Sequence, residues 1–115
     1  MFRFHGMQIW QKSVELLDDI LDIADALEER KLYRFAEQLR GAALSITNNI
    51  AEGSGSRSDP EFRQFLNISK RSAYEVVGML SVFYRRKYLL KKDYDDLEGK
   101  LEELCKMLSG FMKSL

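Results

Sequence analysis

The stretch QLRGAALSITNNIAEGSGSRSDPEFRQFL, residues 38–66, joins two amphipathic segments through a single Gly/Ser-rich turn. Before the turn, apolar residues recur every three or four positions from Leu39 onward, which is the spacing of one helix face. Gly53 stands where a C′ glycine would end that helix. Asp59 and Pro60 resemble an N-cap residue followed by proline at the first helical position. The stretch therefore predicts two helices joined by a short turn.

The same spacing of apolar residues extends through the rest of the chain. No segment alternates with period two for long enough to predict a strand. The helices are predicted over residues 7–29, 32–52, 59 to 86 or 88, and 92–115. Because short loops make sequential helices antiparallel neighbours, the sequence predicts an all-α, antiparallel up-down-up-down four-helix bundle. It forms one domain over residues 1–115, a rod on the order of 35 Å long.

The apolar stripes predict which side chains form the core. On the first helix we expect Trp10, Val14, Leu17, Leu21, Ala24 and Leu27, widened by Ile9, Leu16, Ile20 and Ile23. On the second we expect Leu32, Phe35, Leu39, Ala43, Ile46 and Ile50. On the third and fourth we expect Phe62, Leu66, Ser69, Ala73, Val76, Leu80 and Phe83, and Leu97, Leu101, Leu104, Leu108, Phe111 and Leu115.

Charge is balanced overall but segregated along the chain. The 18 Lys and Arg residues equal the 18 Asp and Glu residues. Residues 61–92 carry eight basic and two acidic residues, net +6, whereas residues 1–30 carry three and seven, net −4. A concentrated basic segment is a better indication of function than the sum. The single cysteine and the absence of a long apolar segment predict a cytoplasmic protein with no membrane partner.

The basic segment supplies the candidate nucleic-acid contacts. Lys and Arg bind phosphate without base specificity, and Tyr84 and Tyr88 interleave with the cations, where they can stack on unpaired bases. The alternatives are a solvated face, or pairing with acidic helices of a neighbouring subunit. The candidate contacts are Arg63, Arg71, Arg85, Arg86, Lys87 and Lys91.

A polar stripe lies beside the apolar stripe of the second helix, at Gln38, Ser45, Asn49 and Glu52. It predicts either a binding or subunit-contact surface, or side chains that satisfy backbone groups near Gly53 or pair with arginines of neighbouring helices.

No catalytic constellation is present in the sequence. His5 is the only histidine, and with one distant cysteine it makes neither a metal site nor a Cys–His pair. The glycine-rich turn follows a helix, whereas phosphate-binding glycine motifs link a strand to a helix. We therefore predict a protein that is not an enzyme and has no catalytic residue, no bound metal and no cofactor.

Taken together, these residues resemble the 23S rRNA intervening-sequence protein family. The resemblance spans essentially the whole chain and includes Asn49-Ile50-Ala51-Glu52-Gly53, which is specific only in combination with the other motifs. It implies a four-helix bundle assembled as a ring-like homopentamer, and a bacterial gene commonly found inside intervening sequences of ribosomal RNA. The family motif falls on Gln38, Arg40, Ser45, Asn49, Glu52, Gly53 and Glu75.

The resemblance also implies a related branch, the accessory variability determinants of diversity-generating retroelements, which are strongly basic and bind nucleic acid. The neutral balance here separates this chain from that branch, and Gly41 stands where the family usually has a second arginine after Arg40. The first functional hypothesis is a non-enzymatic module that associates with RNA or with a nucleic-acid-processing protein. The second is a structural or protein-interaction scaffold in which the charges only hold the assembly together.

Overall fold

Four α-helices and one short 3₁₀ helix make up the structure, and there is no strand. It is a computed structural model that describes all residues from 1 to 115. The all-α, four-helix prediction is confirmed, with helix boundaries close to those expected. The elements are an N-terminal 3₁₀ helix (Arg3–Gly6), α1 (Gln8–Glu29), α2 (Tyr33–Gly53), α3 (Asp59–Arg85) and α4 (Lys91–Ser114).

Each helix packs against two others, so the four close around one core. Helix α2 contacts α1 and α3, and α4 contacts α3 and α1. The molecule measures 44 × 22 × 20 Å. It is longer than expected because the 27 residues of α3 alone span about 40 Å. No helix has the length and apolar character needed to cross a membrane.

The core stripe of α3 is confirmed in full, since every predicted residue from Phe62 to Phe83 is buried. The predicted stripe of α1 is confirmed at Ala24 and Leu27, but nearer the N-terminus the buried face is rotated about the helix axis from the predicted one. Ile9, Leu16 and Ile20, which were expected only to widen the stripe, are buried, whereas Trp10 lies at its margin.

One of the buried residues of α1 is a serine, Ser13, so a pattern that counts only apolar residues does not identify the buried face. The Ser13 hydroxyl donates to the Trp10 carbonyl at 2.7 Å, so its polar group is satisfied on the buried face. On α2, Phe35 is 39% exposed, and the adjacent Ala36 is buried in its place.

Two predictions about the turn between α2 and α3 are wrong. Gly53 is not a C′ glycine: it is the last residue of α2, and no glycine has a positive φ. A Cβ at Gly53 would lie 2.7 Å from Phe65 Cβ and 2.9 Å from Phe62 Cδ1, so glycine is needed there for close helix approach. The N-cap of α3 is Ser58 instead of Asp59, because its side chain accepts from the Glu61 amide.

The other two turns end their helices with lysines in the left-handed conformation, at φ 65° for Lys31 and 64° for Lys87. After α3, the Tyr88 amide donates to the Phe83 carbonyl at 2.8 Å and the Lys87 amide to Tyr84 at 2.9 Å. After α1, the same pair of bonds runs from Leu32 and Lys31 to Leu27 and Glu28. Both turns are therefore Schellman motifs in which a lysine occupies the usual glycine position.

Candidate functional site

The turn between α3 and α4 presents most of the predicted nucleic-acid contacts. Arg85 is the last residue of α3, Arg86 and Lys87 follow it in the Schellman turn, and Lys91 begins α4. All four side chains are exposed. The Tyr88 ring closes the turn against Phe83, with ring centroids 6.2 Å apart. The turn is thus fixed by the backbone and the core while its cations point to solvent.

The turn between α1 and α2 lies at the same end of the bundle. The Arg30 guanidinium lies 4.8 Å from the centre of the Tyr88 ring, and the Phe35 ring lies 5.6 Å from Phe83 and 6.3 Å from Tyr88. These contacts bring a second group of cations beside the first. We name the combined, exposed set the basic end: Arg30, Lys31, Arg34, Arg85, Arg86, Lys87, Lys91 and Lys92.

Counting charge by segment missed Arg30, Lys31 and Arg34. The first is the last residue of the acidic segment 1–30, and the other two lie in a segment of nearly balanced charge. The feature of the sequence that indicates where these three cations lie is the short loop between the first two helices. It implies that the first and third turns of a four-helix bundle lie together, so that their charges add.

Most cations of the basic end have no acidic partner. Lys91 is the exception: its ammonium lies 2.7 Å from Asp95, and that hydrogen bond raises the pKa of the lysine. The other seven form no ion pair. Two nearby acids, Glu28 and Glu37, are held by Arg40 at 3.1 and 2.9 Å. The basic end therefore retains free positive charge that can contact an anionic ligand.

Two tyrosines of this region are placed differently. Tyr84 is 37% exposed and stacks on Tyr94, with centroids 5.1 Å apart and planes 13° from parallel. Tyr88 is half-buried, with Arg30 over its ring and the Arg86 guanidinium 6.0 Å from its centroid. Tyr84 thus offers a ring to solvent, whereas Tyr88 is mostly used in packing.

The remaining two predicted contacts lie away from the basic end. Arg63 donates to the main-chain carbonyl of Leu115 at 2.8 Å, and Arg71 is exposed in the middle of α3. At 1.5 Å per residue these positions are about 33 and 21 Å along the helix from Arg85. The structure therefore brings together Arg85, Arg86, Lys87 and Lys91 but not the full predicted set.

A shallow depression between α2 and α3 collects several motif residues. Ser45 and Ser72 share a 2.8 Å hydrogen bond across the two helices, and Asn49 donates to the Ser45 carbonyl at 2.8 Å and to its hydroxyl at 3.0 Å. The depression itself is lined by Ile68, Arg71, Ser72 and Glu75 of α3, and Ser45 and Asn49 of α2 adjoin it through the Ser45–Ser72 bond; we name the combined surface the α2–α3 groove. Arg71 and Glu75 are exposed there and form no ion pair.

Arg40 instead joins α1 to α2. Its guanidinium lies 2.8 Å from Asp25, in addition to its contacts with Glu28 and Glu37. The hydrogen bond to Asp25, followed by that to Glu28, raises the pKa of Arg40 further above its already high value. Of the alternatives for the polar stripe, pairing with Arg40 or Arg71 is wrong, whereas Asn49 does satisfy a backbone group, the Ser45 carbonyl. Gln38 and Glu52 are exposed and take no side-chain partner.

The only histidine and the only cysteine make no contact with each other. His5 packs beside Phe4 and Trp10, with ring centroids 4.4 and 5.5 Å away. Cys105 is half-buried on α4, and its burial raises the pKa of the thiol. No group of three or more His, Cys, Asp or Glu side chains is arranged to hold a metal ion.

Comparison with known proteins agrees with this architecture. The model of the family described as 23S rRNA-intervening sequence protein matches residues 5–110. The chain therefore belongs to the 23S rRNA-intervening sequence protein family. The family resemblance inferred from the sequence is confirmed, and no functionally curated protein matches the chain.

A solved structure shows the same fold. It is the crystal structure of a protein of unknown function from the S23 ribosomal protein family of Bacteroides thetaiotaomicron. The TM-score is 0.87 at 26% sequence identity, over 91% of this chain and 98% of that one.

Proposed function

We propose that this protein is a non-enzymatic, cytoplasmic module that binds RNA through the basic end. The observation that carries the proposal is the convergence of two turns on one patch of exposed cations, seven of them without an acidic partner. Such a patch binds the phosphate backbone with little dependence on base sequence. Its affinity is expected to fall steeply with salt, because binding releases counterions from the nucleic acid.

The test is charge reversal at the centre of the basic end. We expect the triple variant Arg85→Glu, Arg86→Glu, Lys87→Glu to lose measurable RNA binding in fluorescence anisotropy titrations at low and moderate salt. If residual binding remains, the slope of log affinity against log salt should fall by about two, because three phosphate contacts on a single strand are lost. Binding would weaken because three cations are removed and because the glutamates that replace them repel the phosphates.

A matched control keeps the same change in net charge. Arg57→Glu, Lys106→Glu, Lys113→Glu reverses three exposed cations outside the basic end. This variant should retain RNA binding close to that of the unaltered protein. Equal losses in the two triple variants would assign binding to overall charge and contradict a defined site.

We propose in addition that the helices follow one another in the antiparallel up-down-up-down order. Contacts between elements support this. Ser69 of α3 donates to Ile46 of α2 at 2.7 Å, close to the Ser45–Ser72 bond, so residue numbers rise on one helix as they fall on the other. Between α3 and α4, Phe62 contacts Phe111 while Ser81 bonds Tyr94.

The proposal also includes assembly into a homo-oligomeric ring, a pentamer. The α2–α3 groove supports a subunit contact, because Ile68 is 44% exposed there beside the unpaired Arg71 and Glu75. The acidic outer face of α1 offers opposite charge to Arg71 of a neighbouring copy. Light scattering tests this: a mass five times the 13.4 kDa of the chain agrees, and the mass of one chain contradicts it.

The unpaired cations of the basic end also suit a second candidate function, a protein-interaction scaffold with no nucleic-acid role in which they pair with acidic side chains of a neighbouring copy. In that case reversal of Arg85, Arg86 and Lys87 would change the mass in solution, and the unaltered protein would bind no RNA at low salt.

A further inference from the structure

One aromatic ring near the basic end, that of Tyr84, is supported from one side by a second ring. Tyr84 lies in the last turn of α3 and stacks on Tyr94 of α4 at 5.1 Å, nearly parallel. One face of the Tyr84 ring is therefore covered by Tyr94, and 37% of the residue is exposed to solvent. A flat ring supported from behind can stack a second planar group on its free face.

The supporting ring is itself held in place. The Tyr94 hydroxyl and the Ser81 hydroxyl are 2.9 Å apart, and Ser81 donates to the Val77 carbonyl at 2.7 Å. Tyr94 is thus tied by its hydroxyl to α3, on which Tyr84 also lies. Little side-chain freedom remains to be lost when a ligand stacks, which favours affinity.

Cations flank the Tyr84 ring. Arg85 follows Tyr84 directly in the chain, and Lys91 begins α4 three residues before Tyr94. A nucleotide presents the matching pair of groups, a planar base and a charged phosphate. Tyr88 is less suited to this role, since guanidinium groups lie over its ring and it is half-buried.

We propose that Tyr84 is a stacking platform for an unpaired base and that the ligand of the basic end is single-stranded nucleic acid. The inference rests on the proposed function and names its ligand class. In a duplex the base faces are already stacked on one another, and exposing one costs a few kcal/mol. Stacking on Tyr84 therefore discriminates single strands from duplexes, while phosphate contacts do not.

The test compares Tyr84→Ala with the unaltered protein on two labelled probes, a short oligouridylate and an RNA duplex of the same length. We expect Tyr84→Ala to weaken oligouridylate binding by about 5- to 100-fold, the range for loss of one stacked base. Duplex binding and the salt slope should remain unchanged, because no cation has been removed.

Two variants control for the ring and for the fold. Tyr84→Phe retains the platform and should bind as the unaltered protein does. Tyr74→Ala removes a tyrosine that is 65% exposed on the same helix, about 15 Å away along its axis, and should have no effect. Thermal unfolding of each variant shows whether it is folded.

The outcomes separate the inference from the proposed function. If Tyr84→Ala binds oligouridylate as tightly as the unaltered protein, or weakens both probes equally, the stacking platform is overturned. The proposed function would survive that result as long as reversal of Arg85, Arg86 and Lys87 still abolishes binding. If the unaltered protein binds neither probe, both are overturned.

Discussion

At the scale of single residues, the lysines at the two Schellman turns impose a conformational cost on the protein. A side chain at φ near +65° brings its Cβ close to the backbone, at a cost of about 1–2 kcal/mol that glycine does not incur. Lys31 and Lys87 adopt this conformation, and both belong to the basic end. Both positions therefore combine a positive charge with a left-handed backbone conformation that favours glycine.

We expect Lys31→Gly and Lys87→Gly each to stabilise the protein. The gain should be about 0.5 to 1 kcal/mol, since relief of the left-handed strain is offset in part by the greater freedom of glycine in the unfolded chain. Urea denaturation followed by circular dichroism measures the change. The same substitution at Lys106, an exposed position inside α4, should instead destabilise by about 1 kcal/mol. Equal effects at the three sites would show that the turn conformation does not matter.

At the scale of the elements, the spacing of apolar residues predicted all four helices, because each needs a continuous face against the core. The same spacing placed the main stripe of α1 correctly only at Ala24 and Leu27. The pattern weighs apolar residues alone, and it passed over Ser13, whose hydroxyl is satisfied by its own helix. Counting charge along the sequence found the five cations of the basic end that lie in residues 61–92 but missed the three of the first turn, which packs against the third through Tyr88.

The close approach of α2 and α3 at Gly53 leads to a prediction at this scale. We expect Gly53→Ala to destabilise the protein by about 1–3 kcal/mol, because the new methyl group would overlap Phe65 Cβ and the buried Phe62 ring. A backbone-proximal Cβ cannot move aside by changing rotamer, so the helices would have to separate. Differential scanning calorimetry or urea denaturation measures this.

The control is Gly99→Ala, on α4, where an added Cβ meets no atom within 4 Å. That change should stabilise the protein by about 0.5–1 kcal/mol, because alanine is the better helix former. A neutral or stabilising effect of Gly53→Ala would mean that the α2–α3 junction adapts more readily than its geometry indicates.

At the scale of the whole molecule, different surfaces carry different charge. The basic end gathers cations from two turns, while the depression between α1 and α4 is lined by Asp19, Asp22, Asp93 and Asp96 around Lys100. Lys100 lies 3.0 Å from Asp96 and 3.4 Å from Asp19, and the hydrogen bond to Asp96 is the main cause that raises its pKa. The α2–α3 groove has one exposed apolar side chain, Ile68, together with one cation and one anion, Arg71 and Glu75. Separate surfaces are thus available for an anionic ligand and for self-contact.

We expect Ile68→Glu to dissociate the proposed assembly while leaving the fold of each chain intact. Ile68 is exposed enough that a charge is tolerated in the isolated chain, but that charge would be buried in a subunit contact at the groove. Light scattering measures the mass. Tyr74→Glu, at an exposed position of α3 outside the groove, should keep the mass of the unaltered protein. An unchanged mass for Ile68→Glu would place the subunit contact elsewhere.

The balance of 18 positive and 18 negative residues has a consequence when it is combined with the basic end. Acids lie close to the cations of the two turns, since Glu28 and Glu29 precede the first turn and Asp93, Asp95 and Asp96 follow the other. At the Debye length of about 8 Å in physiological salt, neighbouring charges of opposite sign cancel over distances much shorter than the 44 Å length of the molecule. The chain would therefore not be steered from afar, and the basic end would attract RNA only at close range.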